Sequence, residues 1–274
     1  MAGAGGASGR LVVCPTPIGN LEDVTLRVLR ELREADLILC EDTRRTRVLL
    51  DRHEICGTLV SYHEHNEARR TAELLPRLVA GERIALVSDA GMPGVSDPGA
   101  RLIAAALEAG VPVTVLPGPS AVETALVASG LVGERYQFVG YLPRGEKALA
   151  TFWDELSRWP WPVVAFESPQ RLPRTLRSLA TAMPERRAAV CRELTKTFEE
   201  VARGTAAELA TRFAEPPKGE IVLVLGASEA VVDEVAGIDA VVELVGAGVP
   251  RRQAAAVVAR LTGASRNALF EASL

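Results

Sequence analysis

The sequence predicts an α/β protein made of two α/β domains and a small C-terminal helical extension. Three observations carry this. Short apolar runs of strand length alternate with segments of helical spacing from residue 10 onward. The loops after those runs are rich in glycine and proline, above all Ser88-Asp-Ala-Gly-Met-Pro-Gly-Val-Ser-Asp-Pro-Gly99. The rhythm breaks near residue 131 and changes again near 227, and 274 residues is long for one core. The expected division is a disordered tail over 1–9, an N-terminal α/β domain over 10–130, a second over 131–226 and a helical extension over 227–274.

In order, Arg10 to Cys14 reads as a strand, and Pro15-Thr-Pro-Ile-Gly-Asn20 as a tight turn. Asp23 is placed to cap a helix over Val24 to Glu34, with Leu26, Leu29 and Leu32 near helical spacing. Asp36 to Cys40 and Thr58 to Tyr62 are strands, each followed by a helix, over Thr46 to Arg52 and up to about Ala80. The strand Arg83 to Val87 leads into the glycine loop and a helix over Pro98 to Glu108, with Asp97 as a natural N-cap and Pro98 at its first position. Pro112 to Leu116 is the next strand, and Ser120-Ala-Val-Glu123 fits a capping box. Beyond residue 131, strands are expected at Tyr136 to Tyr141, Pro162 to Phe166, Ala188 to Cys191, Phe198 to Arg203 and Ile221 to Leu225. Helices lie between them at Lys147 to Ser157, Pro169 to Ala182 (capped by Ser168) and, from a Thr205–Glu208 capping box, to Phe213. The close spacing around Arg192 to Phe198 suggests a hairpin and hence a mixed sheet. Three amphipathic segments end the chain, Val231 to Gly246, Arg251 to Leu261 and Ser265 to Ser273, fitting either a helix-turn-helix unit or a packed cap.

Composition narrows the function. A net charge of −4 argues against a protein that coats nucleic acid generally, so any such contact is local, through clustered arginines. No apolar run approaches the roughly 20 residues of a membrane span, and the first nine residues lack the pattern of a signal peptide. The four cysteines, Cys14, Cys40, Cys56 and Cys191, are scattered without a C-x-x-C, as expected of reduced, buried thiols in a cytoplasmic protein. The first turn is not G-x-G-x-x-G, and neither a P-loop nor a G-x-S-x-G elbow occurs.

The candidate chemistry sits at strand ends. Caps account for Asp97, Ser120 and Glu123 as well as a ligand does, but not for Ser88-Asp89-Ala90-Gly91, which is better placed to contact a ligand at the carboxyl edge of a parallel sheet. Glu41 and Asp42 offer paired carboxylates for base chemistry or hydrogen bonding, or an ordinary acidic helix start, and Arg44, Arg45 and Arg47 beside them offer phosphate contacts. Glu167 with Arg171, and Arg192, Glu193 and Lys196, are comparable rims or internal ion pairs. His63, His65 and Glu67 carry metal-type donors, but only His53 remains as a third histidine, and no metal is expected.

The ordered set Pro15–Asp23, Glu41-Asp-Thr-Arg44, Ser88–Gly99, Pro117-Gly-Pro-Ser-Ala121, Phe138–Pro143, Phe166-Glu-Ser-Pro-Gln-Arg171, Arg192–Lys196 and Gly219–Val222 resembles the tetrapyrrole methylase superfamily, the class III S-adenosylmethionine-dependent methyltransferases. Pro15 and Pro17 replace glycines of the wider pattern, which fits an RNA-modifying branch. The resemblance implies S-adenosyl-L-methionine held between two domains of a homodimer, and 2′-O-methylation of a cytidine in the 16S rRNA of the small ribosomal subunit. It places the cofactor against Ile18, Ser88, Asp89, Gly91, Met92, Ser120, Ala121, Phe166, Leu194 and Val222. Glu41, Asp42, Glu193 and Lys196 are the candidates for catalysis, and Arg44, Arg45 and Arg171 for holding RNA. The alternatives are carbon methylation of a porphyrinogen and a module that senses the cofactor without turnover.

Overall fold

The computed structural model describes residues 9–157, 159–228, 234–262 and 264–274. The first sheet is fully parallel and contains β1 (Arg10–Cys14), β2 (Leu37–Cys40), β3 (Leu59–Ser61), β4 (Arg83–Val87) and β5 (Val113–Val115), in the order β3-β2-β4-β1-β5. Both faces are covered, which explains the continuous apolar runs. Alternate residues diverge: Val12, Cys14, Ala85 and Val87 meet Val28, Leu32 and Leu50 of α1 (Leu26–Glu34) and α2 (Thr43–Arg52). Leu11, Ile84 and Leu86 meet Leu74, Leu78, Leu102 and Ala106 of α3 (Glu67–Val79) and α4 (Ala100–Glu108).

The second sheet has the order β6-β7-β10-β8-β9, formed by β6 (Gln137–Tyr141), β7 (Val163–Glu167), β8 (Arg187–Arg192), β9 (Glu200–Thr205) and β10 (Ile221–Leu225). Only β6 and β7 run parallel; the β8–β9 hairpin and the insertion of β10 make the sheet mixed. Its outer face packs on α6 (Glu146–Ser157), α7 (Leu172–Ala182) and α8 (Ala206–Arg212) through Trp153, Leu172, Leu176 and Leu209. Its inner face, Val164, Ala189, Cys191, Val222 and Val224, packs on Val122, Ala125 and Leu126 of α5 (Ala121–Ser129) and on Ile18. The helix that follows the last strand of the first sheet therefore seats against the second sheet, and the two halves share one apolar layer. The helices α9 (Glu234–Gly246), α10 (Arg251–Thr262) and α11 (Arg266–Ala272) gather Val241, Ala254, Ala255, Val258 and Leu269 into a cluster of their own. Residues 1–8 of the expected tail and the first part of the segment expected from Val231 lie outside the described residues.

The strands fall where the sequence puts them, and four helix starts do not. The helix α2 begins at Thr43 behind Asp42, three residues before the expected Thr46. Thr25, not Asp23, caps α1, its Oγ1 accepting from the Val28 N–H at 3.2 Å, while Asp23 lies in a 3₁₀ turn over Leu21–Asp23. The helix α4 begins after Gly99 at φ +136°, so Asp97 does not cap it. The helix α7 begins after Arg171 without a side-chain cap, so Ser168 is free of that role too. The Thr205–Glu208 capping box forms as expected. Of the four cysteines, Cys14, Cys40 and Cys191 are buried and Cys56 is exposed. No helix among the described residues is long and apolar enough to cross a membrane.

Trp153 anchors the outer layer of the second sheet: it is fully buried and its Nε1 donates to Ser178 Oγ at 3.0 Å. Trp153→Ala is expected to lower unfolding free energy by about 3–5 kcal/mol, read from denaturant melts.

Candidate functional site

The site is built from turns at the carboxyl ends of the first sheet. Thr16, just past β1, exchanges two backbone hydrogen bonds with Gly91, both 2.9 Å. Thr16 Oγ1 donates to the Ser88 carbonyl at 2.9 Å, and Ser88 Oγ donates to the Gly91 carbonyl at 2.9 Å. Gly91 adopts φ +79°, a conformation that a β-carbon disfavours, and so the bridge requires glycine there. The turn after β5 joins through Gly118, where a β-carbon would lie 2.8 Å from Pro15 Cβ. Three strand-end turns are thus fixed to one another before any ligand arrives.

The second half closes over them. At Gly19 a β-carbon would lie 2.5 Å from Lys196 Cγ and 2.8 Å from the Leu194 carbonyl oxygen, and the Asn20 N–H donates to Thr195 Oγ1 at 3.0 Å. The Leu194 turn itself holds Glu193 and Thr195 at positive φ, +52° and +64°. Between the halves lies a cleft of about 610 Å³, within the usual range for a small-molecule site. Its apolar wall includes Ile18, Val122, Phe166, Leu194 and Val222, with Phe166 edge-on to Phe138 and Tyr141 at 5.0 and 5.6 Å. Its polar side carries Glu41, Arg45, Asp89, Asp97, Ser120 and Glu220.

The acids differ in their partners. Asp89 Oδ1 accepts from the Asp42 N–H at 3.0 Å, and Oδ2 lies 3.4 Å from Arg45 Nη1. Burial, then the neighbouring Asp89, pushes the Glu41 carboxyl up. Burial, then Glu41 and Asp89, pushes Asp97 up to about 7, with the Ser88 hydroxyl opposing. Glu167 is enclosed: Arg171 Nη2 donates to it at 3.0 Å, Thr175 Oγ1 at 2.6 Å and the Ser168 N–H at 2.6 Å.

Of the residues singled out from the sequence, Ile18, Glu41, Arg45, Asp89, Gly91, Met92, Ser120, Ala121, Phe166, Leu194 and Val222 line the cleft, with Ser88 buried beneath. Others sit outside its lining. Asp42 caps α2, accepting from the Arg44 N–H at 2.9 Å and from Arg44 Nη2 at 2.7 Å, which holds its carboxyl down at about 2. Glu193 and Lys196 pair with each other at 2.9 Å, and Lys196 also reaches Glu220 at 3.1 Å. Arg171 is engaged with Glu167 and the Leu142 carbonyl, which leaves its guanidinium a structural clamp. Ser120 Oγ donates to the Glu123 carboxylate and makes no cap bond to α5. The sequence left Asp97 open between a helix cap and a ligand contact and Glu167 between a rim and an ion pair, and passed over Ser96, Tyr141, Ser168 and Pro169 as cleft residues. The signal available was a third acid beside glycines at φ +83° and +136°, masked by a plausible cap.

Residues 10–210 match the tetrapyrrole (corrin/porphyrin) methylases. The chain belongs to the tetrapyrrole methylase family. Residues 232–274 match a second family, the RsmI C-terminal HTH domain. Among curated relatives of this tetrapyrrole methylase, ribosomal RNA small subunit methyltransferase I of Mesorhizobium japonicum is 45% identical over 263 residues, 95% of this chain and 90% of the relative. The protein of the same name from Thermotoga maritima is 45% identical over 222 residues, 81% of this chain and 100% of the relative. Among solved structures, the methyltransferase CobJ superposes with a TM-score of 0.62 at 22% identity, over 81% of this chain and 95% of its own. Uroporphyrin-III C-methyltransferase of Thermus thermophilus, complexed with S-adenosyl homocysteine, gives 0.57 at 22% over 80% and 97%. These two likenesses establish the tetrapyrrole methylase fold.

The raised Asp97 carboxyl has a consequence for stability. Its native proton affinity exceeds the unfolded value near 3.8, so its contribution is present below about pH 4 and is lost as pH rises through about 7. Asp97→Asn should melt with wild type near pH 4 and above it at pH 8, as measured by thermal scans across pH.

Proposed function

We infer that this chain is an S-adenosylmethionine-dependent methyltransferase of small-subunit ribosomal RNA, transferring the methyl group to the ribose 2′-oxygen of a cytidine in 16S rRNA. The observation that carries the reading is the pairing of a formed interdomain cleft with relatives 44–45% identical over 95–96% of the chain, each named ribosomal RNA small subunit methyltransferase I. The carbon-methylating relatives of known structure stand at 22–23% identity, which supports a shared fold and not a shared substrate.

The cleft fits the cofactor's chemistry. An apolar wall of Phe166, Leu194 and Val222 suits an adenine ring, and the carboxylate of Asp89 favours a cation. Ile18, Gly91 and Met92 with Ser120 and Ala121 form the turns that would hold the rest, over Ser88 as support. When bound, S-adenosylmethionine supplies an activated methyl group on a sulfonium centre. The chain's own task is then alignment, exclusion of water and acceptance of the hydroxyl proton. Arg45, more than half exposed at the rim, and Arg44 beside it are the residues we assign to RNA phosphates. Of the four catalytic candidates, Glu41 alone lines the cleft; Asp42, Glu193 and Lys196 serve the surrounding frame. We also assign a homodimer, which light scattering would register as about twice 29.2 kDa and a monomer mass would refute.

Tritium from the labelled cofactor should enter small subunits lacking the modification and survive alkaline hydrolysis as an uncleaved dinucleotide. Label on a base, or on a porphyrinogen alone, overturns the assignment. Asp89→Ala should weaken cofactor binding about 10- to 100-fold in calorimetry, the size of one lost hydrogen bond to a charged group.

A further inference from the structure

We propose that Asp97 is the general base of this cleft, the group that accepts the proton of the 2′-hydroxyl, and that Glu41 is its tuning neighbour. The proposal deepens the rRNA methyltransferase reading and rests on it. Five carboxylates line the cleft among the described residues: Glu41, Asp89, Asp97, Glu167 and Glu220. A proton acceptor needs a lone pair not already committed to a cation. Asp89 faces Arg45 and accepts from the Asp42 N–H. Glu167 is held by Arg171, Thr175 and the Ser168 N–H. Glu220 accepts from Lys196. Glu41 and Asp97 remain without an ion pair among the described residues.

Between these two, the surroundings decide. Glu41, just past β2, feels Asp89 and Asp42 but also His63 beyond β3 and Arg45 of α2, both of which favour its ionised form. Asp97 faces only acids, Glu41 and Asp89, together with the Ser88 hydroxyl, and is partly enclosed. Its proton affinity accordingly lies near neutrality, where a general base works best. Its position is imposed by the loop: Ser96 before it adopts φ +59° and Gly99 after it φ +136°, where a β-carbon would lie 2.8 Å from Leu86 Cδ2. That loop also carries Met92 and Val95 on the cleft wall.

The step balances. The 2′-O–H bond breaks and its proton passes to the Asp97 carboxylate. The oxygen forms a bond to the methyl carbon as the carbon–sulfur bond breaks, its electron pair staying on sulfur to give the neutral thioether product. The carboxylic acid then loses its proton to water.

The test uses the full chain, small subunits lacking the modification, and the variants D97N, D97E and E41Q. D97N is expected to lower kcat by about 100-fold or more, leaving affinity for S-adenosylhomocysteine within threefold. D97E should recover part of the lost rate. E41Q, which alters a residue of the cleft wall, should lower kcat by less than D97N does and move the acidic limb of the kcat profile to lower pH, because one like charge beside Asp97 is gone. Turnover of D97N within tenfold of wild type overturns the proposal, as does loss of cofactor affinity in D97N, or an unmoved limb or a larger loss of kcat in E41Q than in D97N. Absence of wild-type turnover on small subunits overturns the function reading instead, and this assignment with it.

Discussion

Two backbone hydrogen bonds between Thr16 and Gly91 are the constraint on which the site depends. They join the first turn of the chain to the glycine loop more than seventy residues later, across the ends of adjacent parallel strands. Everything lining the first half of the cleft hangs from that bridge. Ser88 is buried to support it, Gly118 is bare so that Pro15 can pack beneath it, and Gly91 takes a conformation that only glycine adopts at little cost. A site for a small ligand gains from such fixing, since the turns need no ordering when the ligand binds.

The second constraint is the shared apolar layer. α5 belongs by sequence to the first run of strands and helices, yet its buried residues pack on the inner face of the second sheet. Ile18 reaches the same layer from the first turn. The Gly19 contact with the Leu194 turn adds a point of close approach that a side chain at 19 would prop open. The cleft is therefore a gap left between two rigid bodies that already touch, and its width is set by packing. Its charge is set by acids whose partners differ: an arginine for Asp89, a full hydrogen-bond cage for Glu167, and the Ser88 hydroxyl beside other acids for Asp97.

Much of this was readable in the sequence. The central strands of the first sheet appear as runs of apolar residues because that sheet is covered on both faces, and the hairpin after Cys191 was visible from spacing alone. The ten residues that the family resemblance places around the cofactor fall on the cleft or directly beneath it, and of these the turns at Ser88–Gly91 and Ser120–Ala121 were also marked by glycine and proline at strand ends. The failures share one cause. Asp23, Asp97 and Ser168 each satisfied a local capping rule, and each time the helix began elsewhere under tertiary control: at Thr25, after Gly99 with its φ of +136°, and after Arg171 clamped by Glu167. Glu193 and Lys196 were open between a charged rim and an internal ion pair, and the fold pairs them with one another. Asp97 stayed undecided because a local cap explained it as well as a ligand did.

The central claim is that one ligand is gripped by both halves at once. Hydrogen exchange with and without S-adenosylhomocysteine tests this most directly. The account predicts slowed exchange in two distant stretches together, the glycine loop around 88–92 and the Leu194 turn with the start of β10. Protection confined to a single half, or arising in the C-terminal helices instead, would contradict it.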